Sequence, residues 1–334
     1  MPQGAVIFGP EGHAITDWEK SFFRDADPVG FILFARNVDT PDQLRRLTGD
    51  LRAAVGRDAP VLIDQEGGRV QRMRAPHWRE YLPPLGQMAV ARDPLRAMYL
   101  RYRLIADELR AVGIDANCAP TADVADGQTH PFLRNRCYGE TANVVIDVAR
   151  VVADALLAGG VLPVVKHIPG HGRARVDSHK DLPRVSAKRA DLDALDFAPF
   201  KALNDLPIGM TAHIVFEDID PDAPATTSAK MMQVIRDDIG FGGLIMTDDL
   251  SMEALQGDLT TRAAASIAAG CDIVLHCNGF AKEMEQVAAA TGAMSDSAQA
   301  RADAALAMRK TPTPIDIHAL EAEFNGLLGE GPHG

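Results

Sequence analysis

Three histidines and an aspartate lie close together in the segment KHIPGHGRARVDSHKDLP: His167, His171, His179 and Asp177. Pro169, Gly170 and Gly172 oppose a helix there, so the segment is expected to be a long loop. Asp177 and His179 are two residues apart. In an extended stretch both side chains point the same way, so the carboxylate can accept the imidazole N–H and orient the ring. An imidazole held in this way can give and take a proton, although the same two residues would also serve as turn caps. In LIMTDDLSM, Asp248 and Asp249 are adjacent, and alternation along a strand sends them to opposite sides, which places one at a cavity without saying which. A carboxylate so placed suits a nucleophile, a general base or a metal ligand. Asp64 and Arg72, with Arg69 between them, suit either a clamp on substrate hydroxyl or carboxylate groups or a local ion pair.

Two reactions fit these residues. One is glycoside hydrolysis through a covalent intermediate, with a strand-end aspartate as nucleophile and a histidine as acid and base. The other is metal-assisted hydrolysis by His167, His171, His179, His213 and an aspartate. Spacing argues against the second: His167 and His171 are four apart, but across Pro169 and Gly170 they cannot share a helical face as in an H-E-x-x-H site. A barrel metallohydrolase would also be expected to bring a histidine pair from its first strand, and only His13 lies near there.

Residues so far apart in sequence need a scaffold that gathers them. Eight short apolar runs recur, beginning near Ala5, Val29, Pro60, Gly113, Gly160, Leu206, Gly242 and Cys271. Their continuous rather than alternating character suits parallel strands buried on both faces. Between them lie helical patterns. In TPDQLRRLTGDLRAAV, Thr40 can cap, Pro41 suits the first turn, and Leu44, Leu47, Leu51 and Val55 share a face. In the pattern from Asp93, Leu95, Met98, Tyr102, Ile105, Leu109 and Val112 share another. Strand followed by helix, repeated about eight times, predicts an α/β fold of the (β/α)8 TIM barrel type. No linker divides the chain, so residues 1–334 are expected to form a single barrel domain with a helical C-terminal end. An open doubly wound sheet would need a Gly-rich phosphate turn after its first strand, and FGPEGHAIT matches that poorly. In a barrel, catalytic groups come from the C-terminal ends of strands, where the polar residues named above fall.

The 334 residues carry 34 Lys and Arg against 46 Asp and Glu, a net charge of -12, which repels phosphate backbones and anionic lipid and so argues against nucleic-acid and membrane partners. The four cysteines form no paired framework and no C-x-x-C, which fits a reducing compartment. The N-terminus has no basic region, and its apolar run from Ala5 is cut by Gly9 and Pro10; no stretch is long enough to span a bilayer. A cytoplasmic monomer acting on a small carbohydrate is the expectation. Aromatic residues are 5% of the chain and none lies in the strand-end clusters, so sugar recognition should rely on polar contacts more than on stacking.

Taken together, VLIDQEGGRVQRM, KHIPGHGRARVDSHKDLP, MTAHIVFEDID and GFGGLIMTDDLSM resemble, in order and spacing, the signature segments of family 3 glycoside hydrolases. The branch they resemble is the single-domain bacterial β-N-acetylglucosaminidases (β-N-acetylhexosaminidases) of peptidoglycan recycling. The resemblance implies that Asp248 is the nucleophile, that His179 is the general acid and base, and that Asp177 is its partner. It implies that Asp64, Arg72, Arg136, Lys166 and His167 hold the hydroxyl and acetamido groups of N-acetylglucosamine. His213 falls in the sixth-strand motif as a further binding candidate.

The implied reaction is a retaining, exo-acting removal of N-acetylglucosamine from muropeptides of the GlcNAc-1,6-anhydroMurNAc type, with no metal and no cofactor. Rival readings are a muropeptide-binding barrel without catalysis and the metal-dependent hydrolase. Between GHG and DSH this chain carries RARV, where many relatives have a small or acidic residue after the second glycine. Arg173 and Arg175 could lower the His179 pKa, bind an anionic part of the substrate, or simply be solvated. The glycines of the loop around residues 168–183 suggest mobility and closure over bound sugar.

Overall fold

Strands buried on both faces need two sets of apolar side chains, one for each face, and the eight runs supply both. The computed structural model describes residues 2–176 and 181–328. Its strands are β1 (Gly4–Phe8), β2 (Pro28–Leu33), β3 (Val61–Ile63), β4 (Ala116–Asn117), β5 (Leu162–Ile168), β6 (Ile208–Thr211), β7 (Leu244–Asp249) and β8 (Ile273–His276). Each pairs in parallel with its sequence neighbours, and β8 closes onto β1. The fold is the expected (β/α)8 barrel, one strand from each run.

Along most strands the side chains alternate between two clusters. Ala5 and Ile7 of β1, Leu162 and Val164 of β5, Leu244 and Met246 of β7, and Ile273 and Leu275 of β8 fill the barrel interior. Val6, Phe8, Val165, Ile245 and Val274 face outward, against the helices. Strand β4 is the shortest, because Pro120 has no N–H to donate; the chain nevertheless continues beside β5, with the Val164 and Lys166 amides donating to the Ala119 and Pro120 carbonyls.

The covering helices follow the patterning closely. Helix α1 (Asp17–Ala26) follows β1, and α2 (Pro41–Val55) follows β2. The Thr40 hydroxyl accepts the Gln43 amide at 3.3 Å, Pro41 opens α2, and Leu44, Leu47 and Leu51 are buried. Helix α3 (Pro94–Ala111) buries Met98, Tyr102, Ile105 and Leu109, whereas Leu95 in its first turn is exposed, one turn short of the barrel wall. Next come α4 (Ala142–Ala158), α5 (Ala198–Ala202), α6 (Ala229–Gln233), α7 (Leu259–Ala269) and α8 (Ala281–Thr291), and the chain ends in α9 (Asp296–Ala307) and α10 (Ile317–Leu328).

Helix α9 closes the N-terminal end of the barrel. Its Ala298, Ala302 and Ala305 join the interior cluster, where only small side chains fit beneath the converging strands. Around that plug Asp272 accepts from Arg301 at 2.8 Å and from Arg236 at 2.6 Å. One end of the barrel is thus sealed with alanine and ion pairs, and the other is left for polar groups.

Candidate active site

At the C-terminal ends of the strands the inward-facing series changes from apolar to charged. Continuing by twos, Leu62 is followed by Asp64, Val164 by Lys166, and Met246 by Asp248. These three border one cavity with Phe34, Arg69, Arg72, Phe132, Arg136, His167, Asp249, Met252 and Cys277, over a floor that includes Ile32, Met210 and Leu275. The space among them, counted out to where it opens to solvent, is about 760 Å³.

After β3 the chain turns through a short hairpin, Gln65–Gly67 against Val70–Gln71. The buried Gln65 side chain accepts the Arg72 and Met73 amides at 3.0 and 3.1 Å and donates to the Met73 carbonyl, which returns Arg72 to Asp64. Gly67 permits this turn: its φ is +108°, and a Cβ there would lie 1.8 Å from the Arg101 guanidinium that donates to the Glu66 carbonyl.

The result is a run of alternating charges. Arg72 donates to Asp64 at 2.8 Å, Lys166 donates to Asp64 at 2.9 Å and to Glu66 at 2.6 Å, and Arg136 grips Glu66 through two bonds of 2.7 and 2.9 Å. Burial alone would raise the Asp64 carboxyl, but Lys166 and Arg72 outweigh it and hold the group far below the usual carboxylate range. Burial likewise opposes the Glu66 charge, and Arg136 and Lys166 bring that carboxyl down to about 2. Burial would strip the Lys166 proton, and the two acids keep it on. Asp64 and Arg72 are therefore an ion pair and a cavity wall at once.

His167 follows Lys166 across a cis peptide bond, and both side chains reach the cavity. The His167 Nδ1 lies 2.7 Å from Asp123 Oδ2, and Nε2 lies 3.4 Å from Arg136 Nη2. Asp123 is wholly buried and also accepts the His171 amide at 2.7 Å. His171 itself is buried, its Nδ1 has no hydrogen-bond partner among the described residues, and burial lowers its pKa to about 4.

Asp248 and Asp249 both border the cavity, which strict alternation does not predict. The register of β7 against β8 shifts between Met246 and Asp249, and that irregularity turns the second carboxylate in. Asp249 is engaged, accepting from the Ser251 hydroxyl and from the Ser251 and Cys277 amides. Asp248 accepts the Asp249 amide at 2.9 Å. Burial works against its charge, and the His167 and His213 imidazoles, that amide and Lys166 outweigh it, so Asp248 is held ionised. An ionised carboxylate facing an enclosed polar cavity can attack an electrophilic carbon.

His213 is not on the cavity wall. It is buried behind β7, with Nδ1 2.7 Å from the Thr226 hydroxyl and Nε2 3.0 Å from the Asp249 carbonyl, and it braces the strand end that bears Asp248. Asp177 and His179 lie outside the described residues. The stem leading to them is anchored: Arg175 makes two bonds to Asp126 at 2.7 and 2.9 Å, Arg173 donates to Asp196 at 2.7 Å, and the Thr129 hydroxyl donates to the Gly172 carbonyl at 2.7 Å. Neither arginine is a merely solvated charge.

The cavity also has aromatic walls that the sequence reading left out. Phe34 extends the inward series of β2 past its end, and Phe132 lies under the Arg69 guanidinium at 3.6 Å. Glu66 and Asp123 are the other residues missed. Glu66 stands in the strand-end cluster DQEGG, and Asp123 in the apolar run GIDANCAPTADV, where a buried acid is itself a signal.

Residues 12–308 match the family described as the glycosyl hydrolase family 3 N terminal domain. A β-hexosaminidase of Alkalilimnicola ehrlichii is 38% identical over 288 residues, covering 83% of this chain and 82% of that protein. The structure superposes on the crystal structure of NagZ from Neisseria gonorrhoeae in complex with N-trifluoroacetyl-D-glucosamine with a TM-score of 0.87 and 30% identity, over 98% of this chain and 99% of that one. A family 3 β-N-acetylglucosaminidase from Paenibacillus gives a TM-score of 0.85 at 27% identity; the match covers 96% of this chain but 66% of that longer enzyme.

Proposed function

The chain belongs to glycosyl hydrolase family 3 and is a glycoside hydrolase of the β-N-acetylhexosaminidase kind, and from that premise we propose a retaining, exo-acting cleavage of muropeptides. The bond broken joins a terminal N-acetylglucosamine to 1,6-anhydro-N-acetylmuramic acid. Asp248 attacks the anomeric carbon while His179 protonates the departing oxygen, and a covalent glycosyl ester forms on Asp248. Water, deprotonated by His179, then attacks the same carbon, releases the sugar with its configuration kept and frees the carboxylate. Asp177 orients the His179 ring. Asp64, Arg72, Arg136, Lys166 and His167 hold the ring's polar groups, and the reaction needs no metal or cofactor from the protein.

The observation that carries this reading is the Asp248 carboxylate, held ionised, facing the Asp64–Lys166 ion pair and the His167 ring across one cavity. The exo part of the proposal has the non-reducing end of the sugar lie against this wall of buried ion pairs. Within this proposal the protein is a cytoplasmic monomer with one catalytic domain over residues 1–334. Among the described residues no helix is long and apolar enough to cross a membrane.

Release of an aryl group from an N-acetyl-β-glucosaminide and from the matching β-glucoside, by wild type and Asp248→Asn, each with and without chelator, tests the reading. Chelator-insensitive cleavage of the N-acetyl compound, lost in Asp248→Asn, is expected. Binding of N-acetylglucosamine without cleavage of either compound would replace it with the non-catalytic barrel, and loss of cleavage on chelation with a metal hydrolase.

A further inference from the structure

Asp123 is a fully buried carboxylate that is absent from the lining of the active-site cavity and whose side-chain hydrogen bonds, among the described residues, all come from two histidines. Its Oδ1 takes the His171 amide at 2.7 Å and the His167 amide at 3.3 Å, and its Oδ2 takes the His167 ring at 2.7 Å. A carboxylate accepting backbone N–H groups on one oxygen stays ionised, and an ionised carboxylate can only accept. The ring nitrogen facing it, Nδ1, must therefore carry a proton. At the other edge of the ring Arg136 Nη2 lies 3.4 Å from Nε2, and a guanidinium can only donate. Arg136 is itself fixed by its two bonds to Glu66, so it cannot turn away. Both neighbours thus demand the same form of the imidazole, protonated on Nδ1 and open on Nε2.

We propose that Asp123 is a positioning residue that holds His167 as the Nδ1–H tautomer, so that Nε2, which Arg136 approaches only at the long distance of 3.4 Å, keeps its lone pair toward the cavity and shares it with a sugar hydroxyl. The sugar part of this statement rests on the glycosidase reading above; the tautomer does not. It also separates the two kinds of histidine chemistry in the enzyme. His167, locked between an acid and a guanidinium, accepts and orients, and the proton transfer to the leaving oxygen falls to a different histidine.

Substitution by Asn keeps the shape and inverts the logic. With Oδ1 of the new side chain still taking the amides, its NH2 group faces His167 Nδ1 and donates to it, which drives the ring proton to Nε2, toward Arg136. Nitrogen-15 NMR of histidine-labelled wild-type protein, at a pH above the ordinary histidine range, reads the tautomer directly; the His167 signals are those that His167→Asn removes. The expected result is a protonated Nδ1 and an unprotonated Nε2 in wild type, and the reverse in Asp123→Asn.

In the same variant kcat/KM on an aryl N-acetyl-β-glucosaminide should fall by about 10- to 100-fold, mostly through KM, because the lost bond holds bound sugar throughout. A wild-type ring protonated on Nε2 overturns the proposal, and that measurement needs no variant to fold. An Asp123→Asn protein that loses thermal stability but keeps the wild-type tautomer and KM overturns it too. Wild type with the Nδ1–H ring that cleaves no aryl glycoside would support the tautomer and overturn the glycosidase reading instead.

Discussion

A buried lysine keeps its charge only through the acids that face it, and Lys166 faces two, Asp64 and Glu66. Removing one partner of such a cluster strands the others. Lys166→Met is therefore expected to cost about 3 to 5 kcal/mol in urea unfolding and to abolish turnover, while a Lys166→Met, Glu66→Gln double variant should recover part of the stability and none of the activity. His171 gives the pH dependence. Its folded pKa of about 4 lies below the ordinary 6.5, so between these values the unfolded chain binds a proton that the folded chain refuses. Stability should therefore fall as pH drops from 6.5 toward 4, by on the order of 3 kcal/mol, and His171→Gln should flatten that slope. Urea midpoints across this range check both. At this scale the sequence was legible where charge stood out against an apolar strand, at Asp64, Lys166, His167 and Asp248. It was silent on which of Asp248 and Asp249 points inward, because Ile245 and Met246 are both apolar and a strand buried on two faces shows no alternation. It marked Asp123 only as an acid inside an apolar run, and gave no hint of its partners because they are histidines of another segment.

Elements carry the site by the phase of their inward side chains, and strand existence was readable because each run is bounded by Gly, Pro or Asp. What could not be read was irregularity: the register shift between β7 and β8 arises from packing between strands. The stem before Asp177 belongs to this scale too. Arg175 and Asp126 are partly exposed, so breaking their pair should change stability by less than about 1 kcal/mol. Its effect should appear in kinetics. Arg175→Ala is expected to slow an aryl glycoside with a poor leaving group several-fold more than one with a good leaving group, because only the former depends on the acid that we propose the following segment to carry. An Asp126→Arg, Arg175→Asp exchange, which rebuilds the pair, should remove this difference and return the wild-type ratio. Equal slowing of both substrates in Arg175→Ala would assign the pair a purely structural role.

Across the whole molecule, the two ends of the barrel do opposite work. The N-terminal end is sealed by α9 with alanines and the Asp272 ion pairs, and the C-terminal end holds a buried ionic network around a cavity. Helix α10 reaches back to the side of that network: Phe324 packs on Tyr81 with ring centres 6.2 Å apart, and Glu321 accepts from Arg79 at 2.7 Å. Phe324→Ala should cost about 3 kcal/mol and raise KM modestly, since Tyr81 supports the hairpin that returns Arg72 to Asp64; thermal unfolding and substrate titration measure both. The C-terminal helices were readable as helices, but not as a plug and a brace, because their partners lie hundreds of residues away. The proposed reaction turns on one bond, the ester between Asp248 and the anomeric carbon. Its most direct test is mass spectrometry of the enzyme quenched during turnover of a slow, fluorinated N-acetylglucosaminyl substrate, followed by peptide mapping. The account predicts one added sugar on the peptide containing Asp248 and a released product of unchanged anomeric configuration; an adduct on any other residue, or an inverted product with no adduct, would contradict it.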